Sequence, residues 1–170
     1  MMPALFVEVA MGYHTEFSGE LTLTPALSPA QVAYLQAFAA SRRTRRDAAR
    51  LGSDAVREAV GLPVGRDGAF YVGDDEEAAL DYNNPPADQP GLWCQWVPSD
   101  DGTTLGTTLG WDEGEKFYEY VDWMRYLVEH FLQPWGVQAR GRIEWRGEEW
   151  RDTGALVVDG YEVRVVGATI

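Results

Sequence analysis

The chain has 170 residues, 45% apolar and 12% aromatic, with 27 acidic against 14 basic side chains and a formal net charge of −13. This composition excludes a disordered chain and suits a single domain with a sizeable core. The acidic balance argues against direct nucleic-acid binding, and no apolar run approaches the ~18 residues of a membrane helix.

The first residues, Met-Met-Pro-Ala-Leu-Phe-Val-Glu, carry neither a basic n-region nor a long apolar core, so no signal peptide is expected. One cysteine, Cys94, leaves no intrachain disulfide and points to a reducing cytoplasm. Residues 4–11 suit a strand. A clearer strand follows, with Phe17, Leu21 and Leu23 on one face and Ser18, Glu20, Thr22 and Thr24 on the other, stopped by Pro25.

Ser28, Pro29 and Gln31 spell a helix start: an N-cap, a first-turn proline and a capping box, with Leu27 and Val32 placed as a hydrophobic staple. Val32, Tyr34, Leu35, Phe38 and Ala39 make the inward stripe of a helix that should end near Ser41. Arg42, Arg43, Arg45, Arg46 and Arg50 come next. Their first reading is as exposed cations complementing the helix dipole, with an anion site or pairing with the protein's own acids as alternatives. Asp54–Val60 fits a short helix. Residues 64–90, with Asp74, Asp75, Glu76 and Glu77, read as an irregular, solvated acidic segment.

Five of the seven tryptophans (Trp93, Trp96, Trp111, Trp123 and Trp135) fall between Pro90 and Gly136, and such ring clusters usually seed a core. Leu92–Val97 reads as a strand and Asp100-Asp101-Gly102 as its turn. The tandem Gly102-Thr-Thr-Leu and Gly106-Thr-Thr-Leu reads as a duplication in a hairpin, where insertions are tolerated. Asp112 and Glu115 spell a second capping box, opening a helix from about Glu113 to Leu132. Its face is Phe117, Tyr120, Val121, Met124, Leu127, Val128 and Phe131, with Tyr126 pointing elsewhere. Val137–Trp145 alternates as a strand buried on one side, and Asp159-Gly160 marks a final hairpin.

The blocks Phe17-Ser-Gly-Glu-Leu-Thr, Leu92-Trp-Cys-Gln-Trp, Glu115-Lys-Phe-Tyr and Phe131-Leu-Gln-Pro-Trp-Gly resemble a family of uncharacterised bacterial and phage-encoded proteins. The likeness spans most of the chain from Phe17 onward. It implies no activity and transfers no catalytic residue.

Phosphate-loop, dinucleotide and nucleophile-elbow motifs are absent, so no cofactor is expected. His14 and His130 lack metal spacing and read as surface residues, and Cys94 reads as a small core residue. The candidate binding residues are Trp93, Gln95, Arg142 and Glu144, on an outer sheet face, and Glu115 beside Lys116, the only lysine. Trp93 either anchors a partner there or is roofed by residues 64–90.

The expected fold is one α+β domain over residues 1–170. It is a two-layer sandwich of a mostly antiparallel five- to six-stranded sheet with two long helices on one face, in an order resembling a ferredoxin-like split. The expected function is a binding or regulatory module with a protein partner, of which an acidic nucleic-acid mimic is one version. The alternative is an enzyme or binder for a small cationic or sugar-like ligand held by Trp and carboxylates.

Overall fold

Alternating side chains in β1 (Thr15–Thr24) bury Leu21 and Leu23 and leave Ser18, Glu20 and Thr22 in solvent. In the computed structural model, which describes residues 15–73, 75–107 and 119–167 and only the backbone at Glu76, this strand is central. It pairs antiparallel along its whole length with β6 (Gln138–Gly147), and on its other side with β5 (Thr104–Thr107). Gly19 permits the approach to β6: its φ is 106°, and a Cβ there would collide with the Arg142 carbonyl. The sheet is completed by β4 (Trp96–Pro98), β7 (Thr153–Gly160) and β8 (Glu162–Val166), in the order β4-β5-β1-β6-β7-β8, with every neighbouring pair antiparallel. The architecture is α+β.

Helix α1 (Pro29–Ala40) begins as its sequence dictates. The Ser28 hydroxyl accepts from the Gln31 amide at 3.1 Å and the Gln31 side chain accepts from the Ser28 amide at 2.9 Å. Such a box contributes about 1 kcal/mol. Val32, Tyr34, Leu35 and Phe38 face inward. The second long helix departs from expectation. Glu119 has a φ of 59°, so α3 starts only at Tyr120 and runs to Leu127, preceded in the chain by the short α2 (Ala55–Ala59). The Asp112–Glu115 capping box and the strand at 4–11 lie outside the described residues.

Beyond Leu127 the helix widens into a π turn, Val128–Leu132, before a last turn α4 (Gln133–Trp135) closed by Gly136 at φ 73°. Pro134 accounts for the widening: it cannot donate to the His130 carbonyl and its ring would strike it. The Gln133 amide reaches back to Val128 instead. Trp123, Met124, Tyr126, Leu127, Val128, Phe131 and Leu132 are all buried, so Tyr126 joins the core rather than pointing away. With α1 they cover the face of the sheet that carries Leu21, Leu23, Ala139, Ile143, Leu156 and Val158. Each large side chain buried there contributes about 1.5–3 kcal/mol.

The repeat is not a dispensable loop. The junction of its two units supplies β5, between β4 and β1, with Leu105 fully buried. Gly102, at φ 76°, lies against the Leu27 backbone and accepts the Leu27 amide at 2.9 Å. The hairpin turn sits before this strand, where Asp101 accepts from Ser99 and Thr103. Of the predicted strand 92–97 only Trp96 onward pairs, because the Leu92 carbonyl is taken by the Arg43 amide at 2.7 Å. The last hairpin turns one residue later than expected, at Gly160-Tyr161, with Asp159 opposite Glu162. No helix among the described residues is long and apolar enough to cross a membrane.

Candidate functional site

The arginine run after α1 does not sit in solvent. Arg43 is 0% and Arg46 3% exposed, and neither belongs to the last turn of α1. The Arg43 Nη2 donates to the carbonyls of Tyr71 (2.7 Å) and Ala69 (2.9 Å), its Nε approaches Gln89 Oε1 at 3.4 Å, and its guanidinium lies 4.2 Å over the Phe38 ring. Burial lowers its pKa to about 10. Arg46 donates from Nη1 to the carbonyls of Arg42 and Thr44, and Arg45 pairs with Asp67 at 3.5 Å.

These bonds hang the irregular segment on α1. Around them, β2 (Arg45–Arg46) pairs with β3 (Ala79–Asp81), the Ser41 hydroxyl lies within reach of the Val72 carbonyl, and Tyr34 donates to Phe70 at 2.7 Å. The described residues of 64–90 therefore form an irregular strap that is docked at points by these bonds while side chains such as Glu77, Leu80, Tyr82 and Asp88 stay in solvent. Their sequence shows no periodicity because the order comes from side chains elsewhere that satisfy their carbonyls.

Where the strap meets α1 a cleft of about 490 Å³ opens. Its floor is Ala37, Ala40 and Ser41 from α1, one wall is Val72, Gly73 and Tyr82 from the strap, and the rest is Arg42, Arg46 and Trp93. Arg42 is held by its Nε on the Tyr82 carbonyl (3.1 Å) and its Nη2 on Asn83 Oδ1 (3.2 Å), with the guanidinium 4.2 Å over the Tyr82 ring. Tyr82 is 47% exposed and Trp93 is half-buried. None of the described lining residues is a carboxylate, histidine, lysine or thiol. The cleft can therefore hold an anionic or planar group against rings, and its described residues present no acid–base pair.

The candidate residues read from sequence divide. Trp93 lines this cleft, and the strap reaches it on one side, so it is part roofed and part open. Gln95 is buried, at 7% exposure, and does not stand on an outer face beside Trp93. Arg142 and Glu144 pair with each other at 3.0 Å on the open face of the sheet, beside a separate cleft with Glu16, Trp145 and Arg146. The two clefts share no residue, so Trp93 and the charge pair form no common platform. Glu115 and Lys116 lie outside the described residues.

Cys94 is fully buried and its thiol is pushed up to about 12 by burial, which suits a core residue. His130 is half-buried and stacked 4.1 Å from the Tyr126 ring, so it is not a simple surface residue. Among the described residues no cluster of His, Cys, Asp and Glu could hold a metal ion. Sequence reasoning missed Tyr82 and placed Arg42 and Arg46 in solvent first. The available signal was four arginines within five positions, directly after a helix that already had its own end. No protein-family model, no curated protein and no solved structure matches this chain.

Proposed function

We propose that the protein is a binding module that holds a segment of a partner protein in the cleft between α1, the strap and Trp93. The observation that carries this is the half-buried Trp93 facing an Arg42-stacked Tyr82 across about 490 Å³. Aromatic and arginine side chains in a partly desolvated pocket are the usual anchors of protein recognition, and rings supply contact area at little entropic cost. The arginines behind the cleft fix its walls before any partner arrives, which lowers the cost of association. The acidic-mimic version gains nothing from the open sheet face, where Arg140 pairs with Asp159 and Arg142 with Glu144.

Selection from a displayed library of random short peptides tests the proposal. Binders should be enriched on the wild-type protein, and the purified peptides should lose at least ~10-fold in affinity on Trp93→Ala and on Tyr82→Ala, about 1.4 kcal/mol each. Thermal melting of both variants shows that they remain folded. No enrichment, or peptides that bind both variants as well as the wild type, would overturn it.

A further inference from the structure

We infer that the cleft takes an acidic stretch of its partner, with a carboxylate set next to an aromatic or large apolar side chain; this rests on reading the cleft as a protein-binding site. Arg42 and Arg43 are adjacent, and neither makes an ion pair among the described residues. Of the two, Arg42 lines the cleft, so its charge faces a described lining that contains no acid.

The geometry adds direction. A guanidinium has five N–H donors, and Arg42 commits two of its nitrogens to the Tyr82 carbonyl and Asn83. Its Nη1 remains for a ligand oxygen, on a side chain already immobilised, so a charge-assisted bond forms with little further ordering. Arg43 is not among the lining residues and serves the cleft indirectly, by bonding the Tyr71 carbonyl next to Val72 of its wall. Beside this charge stand the rings of Trp93 and Tyr82 and the aliphatic wall of Ala37, Ala40 and Val72. A carboxylate on Arg42 would place the neighbouring side chain of the same peptide on these apolar groups.

The overall charge of −13 limits the length of the acidic stretch. Beyond a Debye length of about 8 Å the rest of the surface is screened, so one or two local carboxylates are tolerated. An extended polyanion such as a nucleic-acid backbone would meet repulsion along its whole course.

The library selection, followed by substitution on both sides, tests this. Enriched peptides should carry Asp or Glu within a position or two of Phe, Tyr, Trp or Leu. Replacing that acid by its amide should weaken binding about tenfold on the wild type and little on Arg42→Gln, which should itself bind the acidic peptide about tenfold more weakly. Arg42→Lys, which keeps the charge and loses the fork, should fall between. Should enriched peptides be neutral or basic yet lose binding on Trp93→Ala, the cleft remains a binding site and this inference falls. Displacement of the acidic peptides by millimolar inorganic phosphate would likewise overturn it, since the cleft would then be a simple anion site.

Discussion

Arginine is used in two opposite ways at the two sides of this molecule. On the open sheet face Arg140 and Arg142 stand in solvent and pair with Asp159 and Glu144, the Arg142–Glu144 side chains being 53% and 60% exposed. After α1, Arg43 and Arg46 are buried and bond to backbone carbonyls of the strap and of their own loop. The first arrangement exchanges water for a carboxylate and gains little. The second brings a charge into the interior to satisfy carbonyls of the strap, and so orders a segment whose own secondary structure is limited to short turns and the three-residue β3.

Substitution at Arg43 should break the comparison most visibly. Arg43→Ala leaves the Ala69 and Tyr71 carbonyls without their donor and opens a cavity against Phe38, for a loss of about 3–5 kcal/mol. Arg43→Met keeps much of the volume, so the difference between the two variants in chemical denaturation separates cavity from lost polar bonds. A change under ~1 kcal/mol for both would mean that the strap holds itself.

Alkali probes the same interior. The Cys94 thiol is raised from 9.0 to about 12, so its stabilising contribution is whole below pH 9 and is lost as pH rises toward 12. Tyr34 and Tyr126, both raised by burial, act in the same direction. Arg43, lowered by burial, acts in the opposite direction, but a guanidinium stays protonated through this range and offsets little. Three groups against one predict net loss of stability above pH 9. Cys94→Ala should flatten the slope by up to about 1.4 kcal/mol per pH unit, and parallel slopes would contradict the burial of the thiol.

Smaller effects sharpen the contrast. Arg42→Ala removes the stack on Tyr82 and two hydrogen bonds at a half-exposed position, and should cost about 1 kcal/mol in denaturation. Arg142→Ala should cost about 0–1 kcal/mol, and added salt should shrink even that. An Arg142→Ala loss as large as that of Arg43→Ala would erase the distinction between the two sides.

Local signals carried much of the fold. Ser28, Gln31, the alternation of β1 and β6, and the Gly136 stop each act within a few residues, and each can be read there. What escaped depends on distant partners. Leu92–Gln95 alternates like a strand, yet Arg43 claims the Leu92 carbonyl. Leu105 reads as part of a repeat until β1 and β4 enclose it. The candidate site was half visible for the same reason. Trp93 drew attention by composition, whereas Tyr82 and the role of Arg42 exist only because the strap folds back onto α1.

The widened turn at Val128–Leu132 sets the phase of everything after it. An α-helix advances about 100° per residue, so one extra residue in a turn rotates the following side chains by about that angle relative to an uninterrupted helix. In the present phase Trp135 meets Phe131 at 5.7 Å and Tyr34 of α1 at 6.4 Å, and Val137 enters β6 buried. Removing one residue between Glu129 and Phe131 would turn Trp135 away from α1 and deliver the chain to β6 with its alternation inverted, placing Arg140 and Glu144 where Ala139 and Ile143 now pack.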